Sequence, residues 1–181
     1  MSRTDQAWAS DNTDAADRMW IQYGYGQVYP ARTMGSWVTD VPNQLTGRTV
    51  PLRFRFHVAM AGTLGIGGDL TRWSEDGLRE GAARRLVQHG RLDRLSPPCD
   101  DTPSVPDATE TLPLAWRRTS RHGSPQPPVR LRGLTPQSRY RDARTGAVHH
   151  AAVLTEYGMH LALPPGDWSS AAVHLIRETE G

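Results

Sequence analysis

The pattern of apolar and polar positions begins with a short apolar stretch that turns abruptly acidic. Within residues 6–11, Ala7-Trp8-Ala9 is followed at once by Ser10-Asp11, which predicts a buried strand running into a polar loop. A helix should follow, capped by Asn12 or Thr13, with Asp14 and Asp17 in its first turn, where the helix dipole favours negative charge. The apolar positions at helical spacing are Ala16, Met19, Trp20 and Tyr23.

A second cycle of the same kind comes next. Residues 34–39 predict another short strand, and residues 51–64 have the wide apolar face of a helix packed on two sides. The glycine-rich residues 65–68 then predict a turn between two helices, and the next helix opens at Ser74 and ends near Gly90. Two strand–helix cycles indicate an α/β architecture.

The second half of the chain has a different pattern. Residues 97–127 are rich in Pro, Ser, Thr, Asp and Arg without periodicity, which is typical of an irregular linker. Beyond it, short alternating segments predict a small antiparallel β-domain; they are residues 129–134, 148–154, 159–163 and 171–176. The predicted domains are therefore 1–96, a linker at 97–127, and 128–181.

Composition narrows the function classes. The 181 residues are 37% hydrophobic and 22% charged, and 21 Lys plus Arg against 19 Asp plus Glu give a net charge of +2, so no basic surface for nucleic acid is expected. Cys99 is the lone cysteine and cannot form an intramolecular disulfide. No apolar run suits a signal peptide or a membrane span, and a cytoplasmic protein that contacts neither membrane nor nucleic acid is expected.

Three further patterns hint at bound groups, and each has a simpler explanation. His149, His150 and His160 fall in predicted alternating strands, where neighbours point to opposite faces, so surface histidines are expected rather than a zinc site. The acidic residues 11–14 lack the spacing of a calcium loop. Residues 65–68 lack the spacing of a phosphate-binding loop. Neither a metal nor a cofactor is predicted.

Several segments, in order, resemble a known enzyme family. They are Trp8 to Gly24 (WASDNTDAADRMWIQYG), Tyr29-Pro30, Met34-Gly35, Val41-Pro42-Asn43, residues 47–52 and 55–60, and more moderately residues 129–136 and 139–141. This text is similar to the C-terminal portion of GH36-type retaining α-galactosidases. The resemblance implies the last strands and helices of a catalytic (β/α)8 barrel followed by a small antiparallel β-domain, and hydrolysis of terminal α-galactose from oligosaccharides such as melibiose, raffinose and stachyose.

The resemblance also implies a role for one carboxyl group. Asp11, in Ser10-Asp11-Asn12-Thr13-Asp14, matches the family's catalytic acid/base and would contact the substrate. Retaining glycosidases need a second carboxylate about 5 Å away as nucleophile. In the family it lies in a Lys-Trp-Asp type motif, and this sequence contains no such motif. We therefore expect the isolated chain to be inactive, with the missing part supplied by a separate chain or through a homo-oligomer.

Two alternatives stay open beside this interpretation. Asp11 alone is also compatible with a helix cap, and the chain as a whole with a non-catalytic remnant or a carbohydrate- or partner-binding module that docks on another chain. Arg18 is expected to pair with Asp14 or Asp17, leaving those carboxylates outside the site. Among the tryptophans, Trp8 and Trp37 lie near strand ends and are candidates for stacking on a sugar ring.

Overall fold

The structure is a computed structural model, and it describes residues 6–79, 109–120, 122 and 126–178. The chain divides into two compact units, residues 1–90 and residues 91–181.

The first unit is built on a parallel three-stranded sheet with the order β1-β2-β3. Helix α1 connects β1 to β2, and helix α2 connects β2 to β3, so the two predicted strand–helix cycles are present. The elements are β1 (Ala7–Trp8), α1 (Ala15–Gly26), β2 (Met34–Val38), α2 (Leu52–Ala59) and β3 (Thr63–Ile66). Short 3-10 helices lie at Ala31–Thr33 and Leu70–Arg72.

The two faces of this sheet differ in composition. Strand β2 points Met34, Ser36 and Val38 to one face, where all three are buried, and both helices pack against this strand. The opposite face carries Trp8 and Trp37, whose partners in the ladder are glycines, at positions 35 and 65 respectively. One face is therefore an aliphatic core under the helices, and the other is an aromatic surface over glycine.

The predicted helix at 51–64 is wrong beyond Ala59. Helix α2 ends at Ala59, and residues 63–66 form the third parallel strand, so Gly65 lies in a strand rather than in a turn between two helices. Gly62 marks the change, because a Cβ there would lie 2.7 Å from the Met34 carbonyl oxygen, and only glycine permits that approach. The burial of α2 agrees with the prediction, since Phe54–Ala59 are all buried.

The start and the apolar face of α1 also differ from the prediction. Asp14 is the N-cap, whereas Asn12 lies before the helix with a φ of 48°. Asn12 and Thr13 are therefore not the cap. Of the predicted apolar positions, Ala16 is buried, whereas Trp20 and Tyr23 are exposed. The buried stripe of α1 is formed by Ala15, Ala16 and Arg18.

The second unit consists of antiparallel strands and a short helix, Ala151–Glu156. A four-stranded sheet has the order β4-β9-β6-β7, and β5 pairs with β8 in a two-stranded sheet. The strands are β4 (Glu110–Thr111), β5 (Leu114–Arg117), β6 (Arg139–Asp142), β7 (Val148–His150), β8 (Ser169–Ala172) and β9 (Leu175–Arg177). A core cluster is formed by Leu131, Tyr140, Ala151, Leu154 and Leu175.

Several predicted strand limits in this unit are wrong. Strands β4 and β5 lie inside the stretch predicted to be an irregular linker, 97–127. The predicted strand 148–154 becomes helical from Ala151 onward. Segments 129–134 and 159–163 meet only through an isolated bridge between Val129 and Met159. The three domain ranges as a division of the chain stay a prediction.

Candidate active site

Acidic residues follow the carboxyl ends of all three parallel strands. Asp11 comes shortly after β1, Asp40 after β2 and Asp69 after β3. The carboxyl ends of parallel strands meet at the same edge of a sheet, and this edge is where α/β proteins bind their ligands. Asp11 lies in an exposed bend at this edge, so the residue matched to the acid/base is open to solvent.

The Asp11 carboxylate is held by an indole ring. The Nε1–H group of Trp8 donates a short hydrogen bond to Oδ1 of Asp11. The Trp8 ring is 58% exposed, and it packs on Trp37 with ring centroids 4.9 Å apart and an interplanar angle of 45°. The structure thus brings together Asp11 and both tryptophans that the sequence nominated for sugar stacking.

The backbone on either side of Asp11 is fixed by long side chains. Nη2 of Arg18 donates to the Ser10 carbonyl at 3.4 Å, and Nδ2 of Asn43 donates to the Asn12 carbonyl at 2.7 Å. Burial lowers the pKa of the Arg18 guanidinium. These bonds hold the Ser-Asp-Asn turn from both sides, so Asp11 projects from a defined backbone.

Asp14 serves the helix and an ion pair rather than the open edge. Its Oδ1 accepts from the amides of Ala16 at 2.8 Å and Asp17 at 3.1 Å, and its Oδ2 accepts from Thr46 and Arg48. Burial raises the pKa of Asp14, but the hydrogen bonds from Thr46, Arg48 and the two amides outweigh that effect and bring the pKa below its usual value. The predicted pairing of Arg18 with Asp14 or Asp17 is wrong, because Arg48 takes that place.

Asp40 is likewise occupied by structural bonds. Its carboxylate accepts from the Asp69 amide at 2.9 Å and from Nε1 of Trp73 at 3.3 Å. These contacts tie the loop after β2 to the loop after β3. Asp69, the third carboxylate at this edge, is also exposed, and its Oδ1 accepts from the amide and the hydroxyl of Thr71. Asp11 is exposed and accepts at Oδ1 from Trp8, and its Oδ2 has no hydrogen-bond donor among the described residues.

The histidines noted in the sequence do not converge on a site. His150 and His160 are exposed, and Nδ1 of His150 accepts from the Ala152 amide at the start of the short helix. Within the described residues, no group of three or more His, Cys, Asp or Glu side chains is arranged to hold a metal ion. Over the same residues, no helix has the length and apolar character needed to cross a bilayer.

Sequence reasoning missed the residues that stabilise the Asp11 turn from a distance. Asn43, Thr46 and Arg48 lie in one loop that reaches back to residues 12–17. Asn43 also orders its own loop, because its Oδ1 accepts from the amides of Leu45 and Thr46. No local pattern in the sequence indicates these contacts, because the partners are about thirty residues apart.

Comparison with known proteins identifies the family. Residues 1–89 match the family model described as Melibiase, and residues 104–175 match the model described as Glycosyl hydrolase family 36 C-terminal domain. The chain belongs to glycosyl hydrolase family 36. By family it is a glycoside hydrolase, and the resemblance found in the sequence is confirmed.

Individual relatives agree with this family assignment. The chain is 37% identical over 148 residues to Alpha-galactosidase AgaA of Geobacillus stearothermophilus, covering 75% of this chain and 20% of that protein. It is 32% identical over 184 residues to Alpha-galactosidase Mel36A of Lactobacillus acidophilus, covering 95% of this chain and 25% of that protein. The chain thus spans about a quarter or less of the family 36 relatives it matches.

Solved structures of family 36 proteins share the fold of the chain. The α-galactosidase AgaB of Geobacillus stearothermophilus matches with a TM-score of 0.77 at 34% identity, covering 96% of this chain and 26% of that one. A variant of AgaA from the same organism, solved in complex with raffinose, matches with a TM-score of 0.77 at 32% identity over the same shares of the two chains. Another AgaA variant was solved in complex with stachyose.

Proposed function

We propose that this chain carries the acid/base part of a retaining α-galactosidase site, with Asp11 as the group that exchanges the proton. The observation that carries the proposal is the exposed Asp11 carboxyl beside the indole rings of Trp8 and Trp37, after the carboxyl end of a parallel strand. The names of the family 36 relatives supply the reaction class.

Each part of this arrangement suits one step of the reaction. A general acid must deliver a proton to the leaving glycosidic oxygen and later accept one from water, and an exposed carboxyl on a fixed turn can do both. The exposed indole of Trp8 provides an apolar surface on which a pyranose ring can stack. We take the substrates to be terminal α-galactosides of the raffinose and stachyose type, since family 36 proteins have been solved with those sugars.

The second carboxylate is proposed to come from outside these 181 residues. Asp14 and Asp40 are already engaged in the bonds that hold helix α1 and the loops after β2 and β3. Asp69 caps the 3-10 helix Leu70–Arg72 through its bonds from Thr71. We further propose that the open β1-β2-β3 sheet is a segment of a (β/α)8 barrel, in which the aromatic face carrying Trp8 and Trp37 looks inward. The remaining strands would supply the nucleophile, either from a separate chain or from a longer form of this one.

A chimera tests the catalytic role directly. The segment of Geobacillus AgaA that this chain matches is replaced by residues 6–178 of this chain, and hydrolysis of raffinose and p-nitrophenyl α-galactoside is measured. Asp11→Asn should lower kcat/KM by about 10²–10⁴-fold. The loss should be larger on raffinose, because its leaving oxygen needs protonation more than p-nitrophenolate does.

Asp17→Asn is the matched control, since Asp17 is another partly exposed acid close in sequence whose nearest charged partner is Arg48, with Nη1 at 3.4 Å from Oδ1. It should leave both activities close to those of the parent chimera. Equal activity of Asp11→Asn and the parent would overturn the assignment. The 181-residue chain alone should not hydrolyse p-nitrophenyl α-galactoside, and turnover that disappears in Asp11→Asn would contradict the proposed external nucleophile.

The rival function is a carbohydrate-binding or partner-docking module without catalysis. The feature that favours it is the exposure of Trp8, which suits sugar binding whether or not a nucleophile is present. An inactive chimera that still binds raffinose, with binding lost in Trp8→Ala, would support this alternative over the catalytic one.

A further inference from the structure

The Trp37 ring lies on a surface made of glycines. An added Cβ at Gly65 would lie 2.6–2.8 Å from three carbons of the Trp37 ring, and one at Gly67 would lie 3.4 Å from the same ring. At Gly35 the nearest atom to an added Cβ would be Nε1 of Trp37, at 3.5 Å. Residue 65 therefore has no room for a side chain while the ring keeps its position.

Packing alone holds this ring. Nε1 of Trp37 is buried and has no hydrogen-bond partner among the described residues. A buried indole N–H without an acceptor is uncommon, because its desolvation is not compensated. The position of Trp37 is thus set by the shape of the glycine surface below it and by the ring of Trp8 beside it.

The contact continues from Trp37 to the candidate acid/base. Trp8 packs on Trp37 at 4.9 Å between ring centroids, and its Nε1–H bonds to Oδ1 of Asp11. Gly35 lies under Trp8 as well, with an added Cβ at 3.7 Å from Cε3. More than half of the Trp8 surface is in solvent, so solvent exposure alone would leave other rotamers available to this side chain. The neighbouring Trp37 ring restricts these rotamers and thereby the direction of the Trp8 N–H.

We propose that Gly65 and Trp37 are positioning residues that act through Trp8 to orient the Asp11 carboxyl. The catalytic role of these residues rests on the proposed function, whereas the physical coupling of Trp37 to Asp11 through Trp8 does not. The indole N–H occupies Oδ1, so the proton that Asp11 exchanges is carried on Oδ2, which has no donor among the described residues. A fixed ring then fixes the direction in which Oδ2 points, and correct orientation is a large part of proton-transfer catalysis.

The coupling is measured by NMR on the 181-residue chain, with tryptophan side chains labelled with ¹⁵N. Trp8→Phe assigns the Trp8 Nε1–H resonance by its loss. In the wild type this resonance should move with pH as Asp11 ionises, and Asp11→Asn should abolish the movement. Gly65→Ala should displace Trp37 and remove most of the pH-dependent movement of the Trp8 signal, even where the protein stays folded.

A graded series of variants distinguishes a change in the position of the Trp8 ring from a general loss of folded structure. Gly67→Ala, with its longer contact to Trp37, should reduce the pH-dependent movement less than Gly65→Ala does. Gly24→Ala is the control, because an added Cβ at Gly24 has nothing within 4 Å, and the Trp8 signal should behave as in the wild type. If Gly65→Ala does not fold, Trp37→Leu is the second variant, and it should likewise weaken the response of Trp8.

A wild-type Trp8 response in folded Gly65→Ala or Trp37→Leu overturns the inference. In the chimera, Trp37→Leu should lower kcat on raffinose with little change in KM, and a change in KM alone would also contradict positioning. The NMR result does not depend on turnover. An Asp11→Asn chimera with full activity would contradict the proposed function but would not affect the coupling measured by NMR. Failure of the proposed function and failure of the coupling are therefore distinguishable.

Discussion

At the scale of single residues, the Asp14 carboxylate shows how one side chain stabilises several parts of the site. It caps α1 and also receives Thr46 and Arg48 from a distant loop. Asp14→Asn keeps an N-cap acceptor but loses the charge, and we expect it to reduce the free energy of unfolding at neutral pH by about 1–2 kcal/mol. Urea unfolding followed by tryptophan fluorescence measures this difference.

The pH dependence of this effect has a definite sign. The pKa of Asp14 in the folded protein is below its unfolded value, so its contribution is complete above the unfolded pKa and is lost as the pH falls through the folded one. The gap between wild type and Asp14→Asn should therefore narrow in acid. Asp76→Asn is the control: Asp76 is 92% exposed beside Arg79, and its loss should cost less than about 0.5 kcal/mol.

Local sequence signals located the Asp11 turn but not the cap that follows it. Polar residues directly after an apolar strand indicated the loop, and the acidic residues indicated a helix start. The cap is Asp14 instead of the predicted Asn12 or Thr13, because distant residues fix this turn: Asn43 holds the Asn12 carbonyl and Arg48 holds Asp14. Such partners are far away in sequence, so no pattern of neighbouring residues could indicate them.

At the scale of elements, the turn before the Val129–Met159 bridge gives a clean test of backbone fit. Gly158 has a φ of +82°, and an added Cβ would lie 2.7 Å from the Val129 carbonyl oxygen. Gly158→Ala should therefore cost both the left-handed backbone penalty and a steric clash, about 2–4 kcal/mol together. Thermal unfolding reports the loss as a lower Tm.

Gly146 is the matched position for that test. Its φ is +75°, but an added Cβ has nothing within 4 Å. Gly146→Ala should therefore cost only the backbone penalty, about 1–2 kcal/mol. Equal losses at the two glycines would show that crowding against Val129 is unimportant.

The element that sequence reasoning missed in the first unit is β3. Residues 63–66 continue the apolar run of α2, and a short apolar run does not distinguish a strand from the end of a buried helix. The decisive facts are the close approach of Gly62 to Met34 and the pairing of residues 63–66 with β2. Two of the glycines that suggested a turn, Gly65 and Gly67, in fact lie against the Trp37 ring, and Gly68 lies against Asp40.

At the scale of the whole molecule, the pairing of β4 and β5 decides where the second unit can be cut. These strands pair with β9 and β8, close to the C-terminus. A polypeptide of residues 128–181, which starts at the domain boundary predicted from sequence, lacks both partners. It should fail to unfold cooperatively in thermal circular dichroism, because β8 and one edge of β9 are left unpaired.

A polypeptide of residues 104–181 contains both partners and should show a cooperative transition. Residue 104 is chosen as the first residue because the match to the family 36 C-terminal domain begins there. Cooperative unfolding of 128–181 at the same temperature would show that β4 and β5 add nothing to that unit.

The order and type of the elements were predicted better than the residues at which they begin and end. Two strand–helix cycles followed by antiparallel strands were evident from periodicity, and the family followed from dense, ordered matches through residue 60. Strands β4 and β5 were hidden because Pro, Ser and Thr surround them and their partners lie some sixty residues later. Long-range pairing of this kind leaves no period in the sequence.

The contact between Trp37 and Gly65 also constrains how this site can diverge. A bulky ring and a residue without a side chain share one volume, so a larger residue at 65 is tolerated only with a smaller one at 37. Either change alone passes through a less stable protein. Substitutions at these two positions should therefore accumulate as a pair, and the order in which they arise matters for whether an ancestral enzyme stays functional.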